Sequence, residues 1–281
     1  MIGYHPNGIK PSKALFYLEN NIHNNEEEEG NVSGIFIPKY SHVDTGIVDK
    51  NGKRIFYSFT EKSGFNITND ELQEYQLTNG KWKLYSETFI ATGSDYEEFQ
   101  TTIGSDVKNN KLCANNMIDV YVYDEFNGTY TQWERTDFEI FTNNNPSDIT
   151  KFANIYNNKS KIFTVKLDEN KNYIIKFGNG VVGKKLNSGD KIYIFYLDTN
   201  GVEGSISPES VSHELKITCN FDEDGIESEL FNNVVLENVE SENTVIHKDV
   251  KLYLGEISST AIPEEGVEDI RKNAPQWFKM G

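Results

Sequence analysis

The sequence is poor in the residues that staple, catalyse or anchor. Two cysteines, Cys113 and Cys219, stand in 281 residues, too few for a disulfide framework. They are able to pair in principle, but unoxidised, partly buried thiols made in a reducing cytoplasm are expected. The five histidines (His5, His23, His42, His213 and His247) never stand four apart, and none has a cysteine at metal-binding spacing. No Gly-x-Ser-x-Gly nucleophile elbow occurs. No apolar run approaches the roughly 20 residues of a membrane helix, and the first residues lack the basic and apolar regions of a signal peptide. Positive charge is scarce too: 27 Lys and Arg face 44 Asp and Glu, for a net charge of −17. Such a chain repels nucleic-acid backbones and anionic membranes, so neither is an expected partner.

Aromatic residues and turn residues are what the chain has in quantity. It holds 15 Tyr and 17 Phe, although its hydrophobic content is only 37 %, below the usual range for compact domains. Short β-prone segments recur between turn clusters: Ala14–Leu18, Gly34–Pro38, Arg54–Phe59, Leu72–Thr78, Trp82–Thr92, Met117–Tyr123, Thr129–Trp133, Lys161–Leu167 and Glu214–Cys219. Asn51-Gly52, Asn79-Gly80 and Asn127-Gly128 mark hairpins. Met117–Tyr123 alternates as a half-buried strand should. In Trp82–Thr92 both faces carry large groups, so periodicity leaves its buried face open. Strand–helix alternation is absent, which argues against a parallel α/β sheet.

One helix is expected, over Ile262–Pro275. Pro263 opens it, acids fill its first turn, Arg271 and Lys272 sit in its last, and Pro275 stops it. The expected fold is therefore mainly β, a β-rich α+β chain with two or more small antiparallel β subdomains, long loops and one short C-terminal helix. A loop near Asn143–Ser147 divides it into residues 1–145 and 146–260, with 261–281 carrying the helix. Trp277 and Phe278 follow with nothing to cover them, which makes them candidate interface residues and the chain an expected excerpt from a longer one.

Candidate chemistry is thin. Asp124-Glu125, near Tyr121, Tyr123 and Trp133, is the best acid–aromatic cluster, of the kind that lines sugar sites or supplies a glycosidase pair; a polar hairpin tip is the plainer reading. Glu26–Glu29 is a solvated charge run, since calcium loops space their ligands at alternate positions. Phe221–Ile226 lacks the terminal ligand spacing of a calcium loop. The sequons at Asn31, Asn66, Asn127 and Asn158 carry no weight without a secretory signal. No catalytic residue, metal ligand or cofactor site is assigned, and the chain is not expected to be an enzyme.

The most distinctive stretch runs from Lys171 to Tyr196: a strand, a glycine-rich turn, a short loop and a second strand. Gly178, Gly180, Gly183 and Gly189 punctuate it, the spacing of tight reversals. Gly178–Gly183 matches G-x-G-x-x-G literally, but a dinucleotide site needs a helix opening at the third glycine. Here Asn187, Ser188 and Gly189 leave no room for one. The P-loop pattern fails as well, because Lys185 stands where Ser or Thr would meet Mg²⁺. A structural turn is the expectation for all four glycines.

Phe177-Gly-Asn-Gly-Val-Val-Gly-Lys-Lys-Leu186, then Ser188-Gly-Asp190, a strand, and Thr199-Asn-Gly-Val-Glu-Gly204 resemble the signature of baseplate J-like proteins, wedge subunits of contractile-tailed bacteriophages. Gly3–Gly8 with Ala14–Leu18, Gly34–Pro38 with Phe56–Phe59, and Phe163–Leu167 follow the family pattern in order, and Pro263–Pro275 is similar to its connecting helix. The hairpin and the helix are the specific parts. The resemblance implies a structural protein of the virion, at the tail baseplate, assembled in the host cytoplasm. It implies a homodimer in the full-length protein, formed by a C-terminal region that is absent here, and contacts with other wedge subunits in a ring that rearranges on sheath contraction. Related contractile injection machines use similar subunits. The alternative is a glycan-binding β module of a phage or cell-surface protein.

Overall fold

The computed structural model describes residues 8–20, 35–61, 65–67, 73–103, 113–136, 155–168, 172–207, 211, 215–218, 245–246 and 250–263. Seventeen strands lie among them: β1 (Lys13–Asn20), β2 (Ile35–Ile37), β3 (His42–Val48), β4 (Arg54–Ser58), β5 (Phe65–Ile67), β6 (Gln73–Asn79), β7 (Lys81–Leu84), β8 (Phe89–Ile90), β9 (Glu98–Gln100), β10 (Cys113–Asp124), β11 (Thr129–Thr136), β12 (Ile162–Leu167), β13 (Tyr173–Phe177), β14 (Lys191–Asp198), β15 (Leu215–Thr218), β16 (Val245–Ile246) and β17 (Val250–Ser259). A single 3-10 turn, Gly201–Gly204, is the one named helical element among the described residues. The chain is mainly β, as its turn chemistry and alternation predict. The expected helix falls almost wholly outside the described residues. Its first residue, Ile262, exchanges backbone hydrogen bonds with Lys10 in an isolated antiparallel bridge.

Two compact units form, and both are discontinuous in sequence. Among the described residues, unit 1 takes Leu84–Tyr196 with residues 8–9, and unit 2 takes Lys10–Lys83 with Leu197–Pro263. This departs from the expected break at 145/146, whose loop lies outside the described residues. Strands β11 and β12 flank that break, yet they are paired neighbours in one sheet, Glu134 opposite Ile162 and Thr136 opposite Thr164. A reading along the chain places boundaries in polar loops. Strand pairing crosses such loops freely, so compactness here follows contacts distant in sequence.

In unit 2, six strands pair in a closed ring, β1–β17–β15–β3–β4–β6 and back to β1. Alternate residues point inward, as the two-residue period of a strand requires: Ala14 and Phe16 from β1, Val43 from β3, Ile55 and Tyr57 from β4, and Leu77 from β6 form the core with Leu215 and Ile217 of β15. An irregularity between Asp44 and Val48 interrupts the β3–β4 ladder. There Gly46 takes a φ of 75°, and the Thr45 hydroxyl donates to the Ile55 carbonyl at 2.7 Å. A small second sheet, β16–β2–β5, is parallel on one side of β2 and antiparallel on the other.

In unit 1, the sheet runs β14–β10–β11–β12–β13–β9, with β8 pairing β14 as well. The β11–β12 pair is parallel, whereas β10–β11, β12–β13, β13–β9 and β14–β8 are antiparallel. Core residues again alternate: Val120 and Val122 from β10, Trp133 from β11, Phe163 and Val165 from β12, Ile175 and Phe177 from β13, Ile192 and Ile194 from β14. The stretch Trp82–Thr92 is not one strand. Trp82 and Tyr85 are both buried although three residues apart, and Ile90 is exposed. Trp82 packs in unit 2, its ring 5.0 Å from that of Tyr40, while Tyr85 stacks on Phe89 in unit 1. Two cores thus claim one segment, and the alternation breaks between them.

Candidate functional site

The glycine hairpin joins β13 to β14 in unit 1, where a run of consecutive backbone amides decides what it is able to do. The Asn179 N–H donates to the Val182 carbonyl, and the Gly180 N–H to that of Gly183. The Val181 and Val182 N–H groups both donate to Asn179 Oδ1, at 2.9 Å each. Next in line, the Gly183 N–H donates to the Tyr156 carbonyl and the Lys184 N–H to that of Ser160. Phosphate-binding loops work by aiming such amides outward at an anion. Here all of them are engaged within the unit, so the literal G-x-G-x-x-G match is not a phosphate cradle.

The four glycines have two different reasons. Gly180, Gly183 and Gly189 take φ values of 84°, 72° and 95°, a region that side chains disfavour. Gly178 does not, but a Cβ there would lie 2.5 Å from the Val182 carbonyl oxygen and 2.6 Å from the Gly183 backbone. Val182 and Leu186 are buried below the turn, while Val181 is exposed. The loop is closed by Asp190, whose carboxylate accepts the Asn187 N–H at 2.8 Å.

The acid–aromatic cluster at Asp124 and Glu125 does not assemble as a pair. Trp133 points into the core, 5.2 Å from Phe177, on the opposite face of the sheet from the tyrosines. Asp124 is the acceptor of its own turn: Oδ1 takes the Phe126 and Asn127 amides at 3.0 and 3.1 Å, and Oδ2 takes Asn127 Nδ2 at 2.7 Å. The Asn127 side chain foremost, with those amides, outweighs desolvation and holds the carboxyl below its ordinary value. That is the opposite of what a general acid needs. Glu125 instead pairs with Lys191 at 3.2 Å, which raises the lysine pKa above its ordinary value. What the outer face does gather is tyrosine. Tyr123 lies 4.7 Å from Tyr130 and Tyr130 lies 5.8 Å from Tyr193, centroid to centroid, all three half-buried. The Lys191 ammonium lies 5.4 Å from the Tyr123 centroid.

A third cluster, in unit 2, was invisible along the chain. Asp198, 3 % exposed, receives Lys53 at 2.7 Å and Lys83 at 3.0 Å, one on each carboxylate oxygen. Lys53 also donates to the Thr199 carbonyl. Asn79 Oδ1 accepts the Thr199 hydroxyl at 2.7 Å and the Asn200 amide at 3.0 Å, and its Nδ2 donates to the Phe56 carbonyl. Asn200 Nδ2 donates to Asp49 Oδ2. Burial pushes the Asp49 carboxyl up, but the Asn200 side chain, the Lys53 and Asn51 amides and the Lys53 charge prevail and hold it below its ordinary value. The Ser12 and Tyr57 hydroxyls converge on the Gly204 carbonyl, and a Cβ at Gly204 would lie 2.1 Å from Asn79 Oδ1. Buried polar groups are tolerable only when partnered, and these are. Nothing periodic marks them in the sequence. The one available signal is that Asp198, Thr199 and Asn200 sit between a strongly apolar strand and a pair of glycines.

Among the described residues no group of three His, Cys, Asp or Glu side chains is placed to hold a metal ion. No helix of the described residues is long and apolar enough to cross a membrane. Cys113 is buried, its thiol 3.4 Å from the Ala114 carbonyl. The candidate interface residues Trp277 and Phe278, Cys219, the Glu26–Glu29 run and the calcium-like Phe221–Ile226 segment lie outside the described residues. No family model matches the chain, and no curated protein matches it.

Proposed function

We propose that this chain is a structural component of a contractile-tail baseplate wedge, of the baseplate J-like kind, and offers surfaces rather than a catalytic centre. The observation that carries this reading is the fate of the glycine hairpin. Its consecutive amides are engaged internally and its glycines answer to φ and close packing, so the chain's most distinctive motif serves architecture. The second half of the resembling stretch, Thr199–Gly204, is likewise the centre of a buried polar network. In this reading the full-length protein is a homodimer that joins other wedge subunits around the tail hub, in the virion, after assembly in the host cytoplasm. A wedge interface of the obligate kind buries on the order of 2,000 Å² or more around aromatic anchors. Cryo-electron microscopy of tail particles carrying a tagged copy tests it. Tag density in a ring at the baseplate is expected; particles that assemble and contract normally without the chain overturn it.

The tyrosine face of unit 1 favours a second reading, a glycan-binding module, because half-exposed aromatic rings beside polar side chains suit sugar stacking. Saturable binding on a glycan array, lost in Tyr123→Ala and Tyr130→Ala, would replace the wedge reading with this one. No binding by the parent protein sets it aside.

A further inference from the structure

The sequence contains six Asn-Gly dipeptides, the pair in which the glycine amide nitrogen most readily attacks the preceding carboxamide. The reaction needs two freedoms. The glycine N–H must be released to give up its proton, and the asparagine side chain must rotate until its Cγ lies over that nitrogen. Asn7 lies outside the described residues; the other five dipeptides allow both conditions to be read directly.

The first condition separates none of them. Gly52 donates to the Asp49 carbonyl at 2.9 Å, Gly80 to that of Phe56 at 2.8 Å, Gly128 to that of Asp124 at 2.8 Å and Gly180 to that of Gly183 at 3.0 Å. Gly201 donates to the Thr199 hydroxyl at 3.1 Å. The second condition does separate them. Asn79 is held by Thr199, Asn200 and Phe56. Asn127 is held by Asp124 at 2.7 Å, Asn179 by two amides and Asn200 by Asp49 at 2.9 Å. The Asn51 carboxamide alone among the five makes no hydrogen bond with the described residues. Asn51 is exposed at the β3–β4 hairpin tip with exposed neighbours Lys50 and Gly52, and the space around the Gly52 α-carbon is open.

We propose that Asn51-Gly52 is the covalent ageing site of the folded protein among these five, and that its conversion loosens the buried network of unit 2. The Gly52 nitrogen loses its proton and bonds to Asn51 Cγ, the Cγ–Nδ2 bond breaks, and ammonia leaves with that proton, giving a succinimide. Water then opens the ring at either carbonyl, yielding aspartate or isoaspartate at position 51, with no oxidant or reductant required. Isoaspartate inserts a methylene into the backbone of this tip. The tip is where Asp49 accepts the Asn51 and Lys53 amides at 2.8 and 2.9 Å, and where the Asp49 N–H meets the Lys53 carbonyl. Lys53 in turn holds Asp198 and the Thr199 carbonyl, so displacement at the surface reaches the buried carboxylate. The inference does not depend on the wedge reading.

The test is peptide mapping by mass spectrometry, with fragmentation that distinguishes isoaspartate. The full-length chain is aged in mildly alkaline buffer, once folded and once in urea. Expected in the folded protein is conversion at Asn51 several-fold faster than at Asn79, Asn127, Asn179 and Asn200. Rates in urea should draw together. Faster conversion at any of the other four in the folded protein, or conversion at Asn51 as slow as at Asn79, overturns the assignment. Hydrogen exchange then tests the coupling. Aged protein, but not Asn51→Gln protein aged beside it, should lose protection at residues 53–58 and 197–201; equal protection in the two overturns the coupling.

Discussion

Unit 2 closes six strands into a ring and so has no sheet edge in its main layer, whereas unit 1 keeps an open sheet that ends at β9 among the described residues. Closure removes exposed ladder groups, but it narrows the interior, and a ring must still be finished at its ends. Unit 2 fills the interior with Phe16, Tyr57 and Leu77 and pins the strand ends with buried polar groups centred on Asn79 and Asp198. Unit 1 relies on a chain of rings instead. Tyr85 stacks on Phe89, Phe89 meets Phe99, and Phe99 and Trp133 both meet Phe177, with centroid separations between 5.2 and 5.9 Å. Its glycine hairpin is held by backbone carbonyls within the unit and by the side chains of Asn179 and Asp190. One composition thus yields two solutions. Apolar packing tolerates approximate replacement, while a polar network fails when any one partner is missing.

Four changes probe that contrast. The largest expected effect is Trp133→Ala, which removes a core ring from unit 1 and should cost about 3–5 kcal/mol. Native-state hydrogen exchange should show the loss in β10–β13 and spare β3 and β4. Equal loss in β3 and β4 would mean that the two units unfold as one. Asp198→Ala comes next, at about 3 kcal/mol, because two lysines lose their buried counter-charge. Lys53 and Lys83 are 21 % and 36 % exposed at their side chains, so water relieves part of the penalty and the low end of the usual range applies. Asp198→Asn should recover part of the loss in a urea melt followed at β4 and β6. Both variants remove the charge, so no difference between them would mean that the carboxamide's hydrogen bonding restores nothing and that the loss is one of charge.

Gly178→Ala should cost about 1–3 kcal/mol by overpacking, since the added carbon meets backbone that has no rotamer to yield. A thermal melt indistinguishable from the parent would show that the hairpin has slack. The smallest effect is that of acid. Asp49 and Asp124 both have folded pKa values below their ordinary ones. Each therefore contributes stability that is fully present above the unfolded carboxylate pKa and is lost as pH falls through the lower, folded value. Carboxyl NMR titration should place both midpoints below the model-peptide value. Asp49→Asn should flatten the acid limb of unit 2, and Asp124→Asn that of unit 1. A normal midpoint at either residue removes it from the account.

How far the sequence reached can be judged from particular residues. The turn at Gly178–Gly189 was legible because glycines at that spacing have few uses between two β-prone segments. The nucleotide reading failed on the sequence for want of a helix, and the structure adds that the amides are engaged. Asp124 as part of a hairpin tip was legible from Asn127-Gly128. Its supposed partnership with Trp133 was not, because Trp133 stands opposite Val120, four positions along β10 from Asp124, and its ring packs into the core against Phe177. The parallel pairing of β11 with β12 was hidden, since the chain between them gives no sign of which strands it will bring together.

By itself the sequence determined that the protein is mainly β, where several of its turns fall, and that Gly178–Gly183 leads into no helix. These depend on backbone preferences acting over a few residues, which each local segment carries in full. The tertiary structure alone decided that two discontinuous units form, that Trp82 and Tyr85 serve different cores, and which polar residues are buried together. The Thr199 hydroxyl finds Asn79 across 120 positions, and Lys53 finds Asp198 across 145. Such partners are chosen by strand register, which is fixed by the packing of the whole unit and by no property of either residue's neighbours.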